Sequence, residues 1–334
     1  MLLPPGFDPK AIEQIQLYGQ RPDVPEMNGK LLEVETPRSY DLLLDRTCQV
    51  NRPDGSILCI LLKKIVPESL QKSVIDSFRK ASVLEDISNR GMAAAGRDAR
   101  VFTTKKDGTV SKTSRVVKAN HPNLMKDDST NGIIGFSDAS SRFPYCRQTA
   151  FTYQEFAHWK WVMDYLKFCS DVWHEYIPDR WQNQKDMAER THPAYVVPDT
   201  PFTTVTVNRN WQTRVHTDKG DYIQGNGVMG VLGNDNWDGC HFVYPRWRIA
   251  VNLKPGDLIL NDVHEYHGNT PIEHKFSPKA TDRISIVQYY RADMVDCKDP
   301  IVEEAKRKAY YEEDPINRSY AAHPSYRVES RRIE

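Results

Sequence analysis

Neither sign of charge prevails in this sequence: 45 Lys and Arg face 45 Asp and Glu over 334 residues. That balance excludes the whole-molecule positive field of a protein that binds nucleic acid by charge alone, so any basic surface must be local. Long apolar runs are missing too. No stretch is long enough to cross a bilayer, and the start, Met1-Leu-Leu-Pro-Pro-Gly-Phe-Asp, has no basic region and meets prolines at once. The six cysteines (Cys48, Cys59, Cys146, Cys169, Cys240, Cys297) form no CxxC pair and no dense spacing, which argues against a zinc knuckle or a disulfide framework and for a reducing compartment. Internal repeats and low-complexity tracts are absent as well. The expectation is a soluble intracellular protein, cytoplasmic or nuclear, neither secreted nor bound to a membrane.

Apolar residues make up 39% and charged residues 27% of the chain, enough to build a buried core. Residues 1–55, rich in Pro and polar side chains, read as an N-terminal arm with a short helix near Ala11 to Leu17. The main domain is expected over 56–297. It opens with a buried-strand run, Ile57-Leu-Cys-Ile-Leu-Leu, and a helix after Pro67 that puts Leu70, Val74, Ile75 and Phe78 on one face. From Gln154 to Ile177 apolar residues recur at three and four, which predicts one long amphipathic helix with its Trp and Tyr residues in the core. After Pro201 the texture changes to short strand-like runs: 202–207, 228–232, 241–244, 248–253, 257–260 and 283–290. Such spacing indicates a jelly roll with its core at about 200–291, so the fold class is α+β, a mainly β core buttressed by helices. Residues 298–334 read as a charged helix followed by an irregular tail.

Between Arg90 and Lys118 eight basic residues stand against Asp98 and Asp107. A solvated loop accounts for such a run; a phosphate-contacting arm is the sharper alternative.

Three segments carry candidate chemistry. In Val215-His-Thr-Asp, His216 and Asp218 are two apart, so on an extended strand both project to one face. In Pro255-Gly-Asp-Leu-Ile-Leu-Asn-Asp-Val-His-Glu-Tyr-His, a turn and a strand lead to His264 and His267. Three apart on a strand, these two face opposite sides, and His267 is favoured as the third ligand. Two His and one carboxylate make the facial triad of non-haem iron(II) oxygenases, which leaves three positions open for a bidentate 2-oxo acid and O2. In Thr281-Asp-Arg-Ile-Ser, Arg283 and Ser285 point the same way and suit the far carboxylate of 2-oxoglutarate.

His216-Thr-Asp218, Pro255-Gly-Asp257, His267-Gly-Asn-Thr-Pro and Arg283-Ile-Ser together resemble the double-stranded β-helix of iron(II)- and 2-oxoglutarate-dependent dioxygenases. A finer resemblance is to the TET/JBP branch, which oxidises the 5-methyl group of pyrimidines in nucleic acid. It is carried over roughly residues 130 to 295 by Tyr145-Cys-Arg-Gln-Thr-Ala-Phe-Thr, Val205-Thr-Val-Asn-Arg-Asn and Val263-His-Glu-Tyr-His-Gly-Asn-Thr-Pro. The cysteine-rich extension of the animal enzymes and a recognisable separate DNA-binding domain are not found. The resemblance implies that His216, Asp218 and His267 bind Fe(II), that Arg283 and Ser285 hold 2-oxoglutarate with Asn208 as a further contact, and that DNA is the substrate. Arg147, Asp221, Tyr222 and His264 are then candidate substrate contacts, with Arg291 of the same ambiguous standing as Arg147. A flipped base would stack on aromatics such as Tyr222 or Trp237. Three other readings stay open: a 2-oxoglutarate-dependent hydroxylase of a free nucleoside, amino acid or peptide, a zinc hydrolase using the same ligands, and a non-catalytic jelly-roll binding module.

Overall fold

A computed structural model describes residues 12–32, 39–82, 100–104, 110–116, 129–141 and 143–313. Strands β1 (Glu13–Gln16), β2 (Leu42–Leu44), β3 (Cys48–Asn51) and β4 (Ile57–Leu62) precede helix α1 (Glu68–Ser82). Next come β5 (Arg100–Thr104), β6 (Val110–Val116), β7 (Thr130–Ser137) and β8 (Arg147–Gln148). Four helices follow: α2 (Ala150–Gln154), α3 (Phe156–Trp161), α4 (Met163–Tyr176) and α5 (Pro178–Arg190). The remaining strands are β9 (Thr204–Arg209), β10 (Gly227–Gly233), β11 (Trp237–Gly239), β12 (Phe242–Tyr244), β13 (Ile249–Val251), β14 (Leu258–Asn261), β15 (Gly268–Asn269), β16 (Ile272–His274) and β17 (Arg283–Tyr289). Helix α6 (Pro300–Glu313) ends the described chain.

The major sheet runs β1-β3-β4-β14-β10-β17-β9-β7-β8, and a smaller one runs β15-β12-β13-β2. Major-sheet strands are apolar on both faces because each face is covered. Leu258 and Leu260 of β14, Ile284 and Ile286 of β17 and Ile60 and Leu62 of β4 pack toward Val74 and Phe78 of α1 and Leu166 and Trp173 of α4. The alternate residues Ile259, Met229, Val231, Cys59 and Leu61 turn inward against Phe242, Tyr244, Ile249 and Val251 of the smaller sheet. This is the helix-buttressed jelly roll that the run of short strands implied.

Three local expectations are corrected. Where a helix was expected over 11–17, Glu13–Gln16 form strand β1, which pairs in parallel with β3, and residue 11 lies outside the described residues. Over so short a stretch Ile12, Ile15 and Leu17 fit either period, and pairing with β3 decides it. The segment to residue 55 also lays β2 beside β13 and β3 beside β4, so it is woven into both sheets. The long helix of 154–177 is three pieces, offset at Glu155 and Val162, although no Gly or Pro marks either break. Glu155 at the first break pairs with Lys80 of α1 at 2.7 Å. Trp159, Tyr165 and Trp173 of these helices are core residues, as expected, but Trp161 is 59% exposed, which corrects the expectation for that residue. Finally, Cys146 and Cys297 form a disulfide between residues 151 apart, a pairing that no motif announces. The other four cysteines are free and buried. Most of the basic stretch 90–118 and the tail after residue 313 lie outside the described residues; within 90–118, β5 and β6 pair antiparallel. No described helix is long and apolar enough to cross a membrane.

Beside the disulfide, the fully buried Glu303 of α6 accepts the Cys146 N–H (2.8 Å) and the Lys298 N–H (2.9 Å) and pairs with Lys306 Nζ (2.7 Å). Removing that carboxylate leaves two N–H donors unpaired. Glu303→Ala is therefore expected to lower stability by about 1–3 kcal/mol in urea denaturation, whereas Lys306→Ala, at a half-exposed partner, should cost under about 1 kcal/mol.

Candidate metal and cosubstrate site

His216 and His267 meet through the backbone before their side chains meet. Each donates its N–H to the carbonyl of the other at 2.9 Å, an isolated antiparallel bridge at the mouth of the barrel. Directly opposed residues in such a bridge project side chains to the same side, and the two imidazoles lie 4.4 Å apart between centroids. Gly268 is required beside them. A Cβ there would stand 2.9 Å from the backbone nitrogen of Val215, closer than any side chain tolerates.

Each imidazole is then turned by a local bond. His216 Nδ1 lies 2.7 Å from the Arg214 carbonyl and His267 Nδ1 lies 2.9 Å from the Glu265 carbonyl, so each Nδ1 donates and each Nε2 keeps its lone pair. Phe242 stacks on the His267 ring at 5.1 Å. Asp218, whose N–H donates to the Val263 carbonyl, brings its two oxygens to 3.3 Å from His216 Nε2 and 3.6 Å from His267 Nε2. Burial, followed by the neighbouring His216, pushes the His267 pKa down to about 4, so its ring is neutral near pH 7, as a metal ligand must be. Donor atoms of His216, Asp218 and His267 all lie within 4.8 Å of one another, a group able to hold one metal ion. His264 is not in it. Its Nε2 donates to the Asp221 carbonyl (3.2 Å) and its Nδ1 faces Asp262 (3.4 Å), whose carboxylate raises the His264 pKa.

A second feature lies on the inner face of the major sheet. Arg283 and Ser285 alternate on β17, and Asn208 of β9 stands opposite Ser285, so all three side chains face the barrel interior. The Arg283 side chain is 1% exposed, yet its Nε and Nη2 have no hydrogen-bond partner. Trp237 covers it, with the guanidinium carbon 5.1 Å from the ring centroid. A buried cation with two unused donors is costly unless an anion completes it. A carboxylate between Arg283 and Ser285 does so.

The other candidates separate. Trp237, fully buried with Nε1 donating to the Asn234 carbonyl, is a wall behind Arg283, which corrects the expectation that it stacks a base. Tyr222 packs edge-on against Tyr290 and donates to Gln224 Oε1. Arg291 is ion-paired with Asp138 at 3.1 Å and pressed on Gly220, where a Cβ would meet its Nη1 at 2.1 Å. Arg147 lies over the Phe143 ring and donates to the Asp138 carbonyl. Phe242, Asp138 and the two carbonyls that orient the histidines were not singled out from the sequence, and nothing in residue type or spacing marks them.

Comparison with known proteins agrees with this geometry. Residues 132–292 match the Tet_JBP family model, described as the oxygenase domain of the 2OGFeDO superfamily. This domain belongs to the TET/JBP oxygenase family. Among similar curated proteins, thymine dioxygenase JBP1 of Trypanosoma brucei brucei is 34% identical over 164 residues, which are 49% of this chain and 19% of that protein. Thymine dioxygenase JBP1 of Leishmania tarentolae is 32% identical over 170 residues, 48% of this chain and 19% of that protein. The chain thus spans about a fifth of the length of these relatives. A solved structure of NgTET1 in complex with 5mC DNA matches 84% of this chain and 89% of its own at a TM-score of 0.54 and 14% identity, a shared TET-type jelly-roll fold. Within the family, iron(II) and 2-oxoglutarate are implied, and the donor set and the two unpaired N–H groups of Arg283 fit both.

If Arg283 is held ready for an absent anion, replacing it by an apolar residue of similar length relieves a cost. Arg283→Met should raise the stability of the ligand-free protein by about 1–4 kcal/mol in urea denaturation. A clear loss of stability would show that Arg283 already has a partner.

Proposed function

We propose that the protein is an Fe(II)- and 2-oxoglutarate-dependent dioxygenase that hydroxylates the 5-methyl group of a pyrimidine in DNA. The observation that carries the reading is the pairing, inside one TET/JBP domain, of the His216–Asp218–His267 cluster with a buried Arg283 lacking two hydrogen-bond partners. Thymine is the favoured base, because the similar curated proteins are thymine dioxygenases. The second reading, 5-methylcytosine, draws on the fold shared with NgTET1.

His216, Asp218 and His267 would hold the iron on one side and leave the other open. Arg283 and Ser285 would fork onto the distal carboxylate of 2-oxoglutarate, with Asn208 beside them, and so fix its reacting end relative to the metal. Bound together, iron, cosubstrate and O2 supply the oxidising power for an unactivated C–H bond. The protein's own part is placement and exclusion of water. The Lys219–Gln224 loop after Asp218 carries Asp221 and Tyr222, and His264 grips its backbone; these three residues are proposed substrate contacts. Arg147 and the basic stretch 90–118 are proposed contacts for the DNA backbone, which is local attraction on a chain with no net charge. A base in duplex DNA must be flipped out to reach a site at a barrel mouth.

The test is incubation of iron-loaded protein with 2-oxoglutarate and DNA containing thymine or 5-methylcytosine, measuring succinate and analysing nucleosides by mass spectrometry. Succinate and a hydroxymethyl base are expected for the wild type, both falling at least about 100-fold in His216→Ala. Succinate no higher than in that variant would reject the oxygenase reading. Succinate with every base unmodified would reject DNA as substrate alone and favour a free nucleoside, amino acid or peptide.

A further inference from the structure

The loop that carries His267 is held by a residue from outside the oxygenase domain. Arg52 sits between β3 and β4, well before residues 132–292. Its Nη2 donates to Asp262 Oδ2 at 2.9 Å, its Nη1 donates to the Ile57 carbonyl at 3.1 Å, and its Nε stands 3.8 Å from Glu265 Oε2. The side chains are sheltered, 15% exposed for Arg52 and Asp262 and 4% for Glu265, so solvent screens these charges less than at a surface.

Both carboxylates lead to metal ligands. Glu265 is pinned on one oxygen by Trp247 Nε1 (2.9 Å) with Arg246 at 3.6 Å, and on the other by the Tyr266 N–H (3.1 Å). Its backbone carbonyl accepts the bond from His267 Nδ1 that aims Nε2 into the site. Asp262 accepts the His264 N–H at 3.1 Å and faces its ring at 3.4 Å, and His264 holds the Asp221 carbonyl at 3.2 Å. The Asp221 N–H returns to the Asp218 carbonyl at 3.1 Å, while the Asp218 N–H donates to the Val263 carbonyl at 3.0 Å, inside the loop that Arg52 braces.

The same N-terminal segment also reaches the remaining ligand. Gly29 N–H donates to the Val215 carbonyl (2.7 Å), Val215 N–H donates to the Lys30 carbonyl (2.9 Å), and Arg214 Nη1 donates to the Gly29 carbonyl (2.9 Å). Val215 lies between His216 and Arg214, whose carbonyl orients that histidine.

We propose that Arg52 is a positioning residue for the metal site, acting through Asp262 and Glu265, and that the chain before the oxygenase domain is part of the site's support. The proposal rests on reading His216, Asp218 and His267 as metal ligands. A planar fork can meet two carboxylates at once; a lysine ammonium is a point charge that satisfies one of them.

Cobalt(II) binding to the full, metal-free chain tests this, read by calorimetric titration and by the visible absorption of the bound ion, with melting temperatures of the metal-free proteins alongside. Arg52→Ala is expected to weaken cobalt binding about 10- to 100-fold and to change the absorption bands. Arg52→Lys should recover part of the affinity, and Asp262→Asn should weaken binding while Arg52 is intact. Arg46→Ala, which breaks an exposed ion pair with Glu13 in the same segment, should leave cobalt binding unchanged. A lower melting temperature with unaltered cobalt affinity and spectrum in Arg52→Ala would mean a merely structural role and overturn the proposal. Should Arg52→Ala not fold, unaltered binding in both Arg52→Lys and Asp262→Asn overturns it equally. Wild-type protein that takes up no cobalt overturns the metal-site reading and the positioning with it, whereas wild-type uptake with indifferent variants overturns the positioning alone.

Discussion

Everything at the candidate site depends on the reciprocal backbone pair between His216 and His267. Two N–H donors and two carbonyls, each bond 2.9 Å long, fasten the segment after β9 to the segment after β14. Once that register is set, the imidazoles must lie side by side, and the carbonyls of Arg214 and Glu265 have only to choose which nitrogen faces inward. A one-residue slip would turn both rings to the opposite face. The metal-binding geometry is thus a consequence of sheet register, and Gly268 allows the two backbones to approach closely enough for it.

Charge burial divides the interior into finished and unfinished places. Asp257 is fully buried but complete: its oxygens accept the Lys64 and Lys254 N–H groups, and Lys63 Nζ lies at 2.6 Å. Glu303 is complete in the same way. Arg283 is the contrasting case, a buried cation with two idle donors. Some neutral groups also make no hydrogen bond to nitrogen or oxygen, such as the Tyr165 hydroxyl and the Gln288 amide, but those lie against the Cys169 thiol and carry no charge. An unpaired charge is the more expensive omission, and a protein retains it where a ligand will pair it.

Much of the site was legible because its signals are local. Arg283 and Ser285 are two apart on β17, where the strand period of two puts both on one face, whereas His216 and Asp218, also two apart, lie after β9 in a segment that carries only an isolated bridge at His216 in place of the expected strand. The strands β9, β10, β12, β13, β14 and β17 announced themselves by short apolar runs between turn residues, whereas the short β11, β15 and β16 did not. What stayed hidden depends on long-range pairing. Residues 11–17 are too few to separate a helix from a strand until β3 is beside them, and the offsets at Glu155 and Val162 arise within a run of residues that contains no breaker. The Cys146–Cys297 bond joins distant parts of the chain through no motif. Arg52 likewise looked like any arginine before a Pro-Asp-Gly turn, because its partners Asp262 and Glu265 come from the far end of the chain.

The account turns on whether one ion binds where these three side chains converge. Crystals grown without oxygen and soaked with iron(II) would decide it by anomalous scattering at the iron edge. A single peak bonded to His216 Nε2, His267 Nε2 and one Asp218 oxygen, at roughly 2.0–2.2 Å, is the predicted result. No peak there, or one that His264 shares in place of His267, would contradict it.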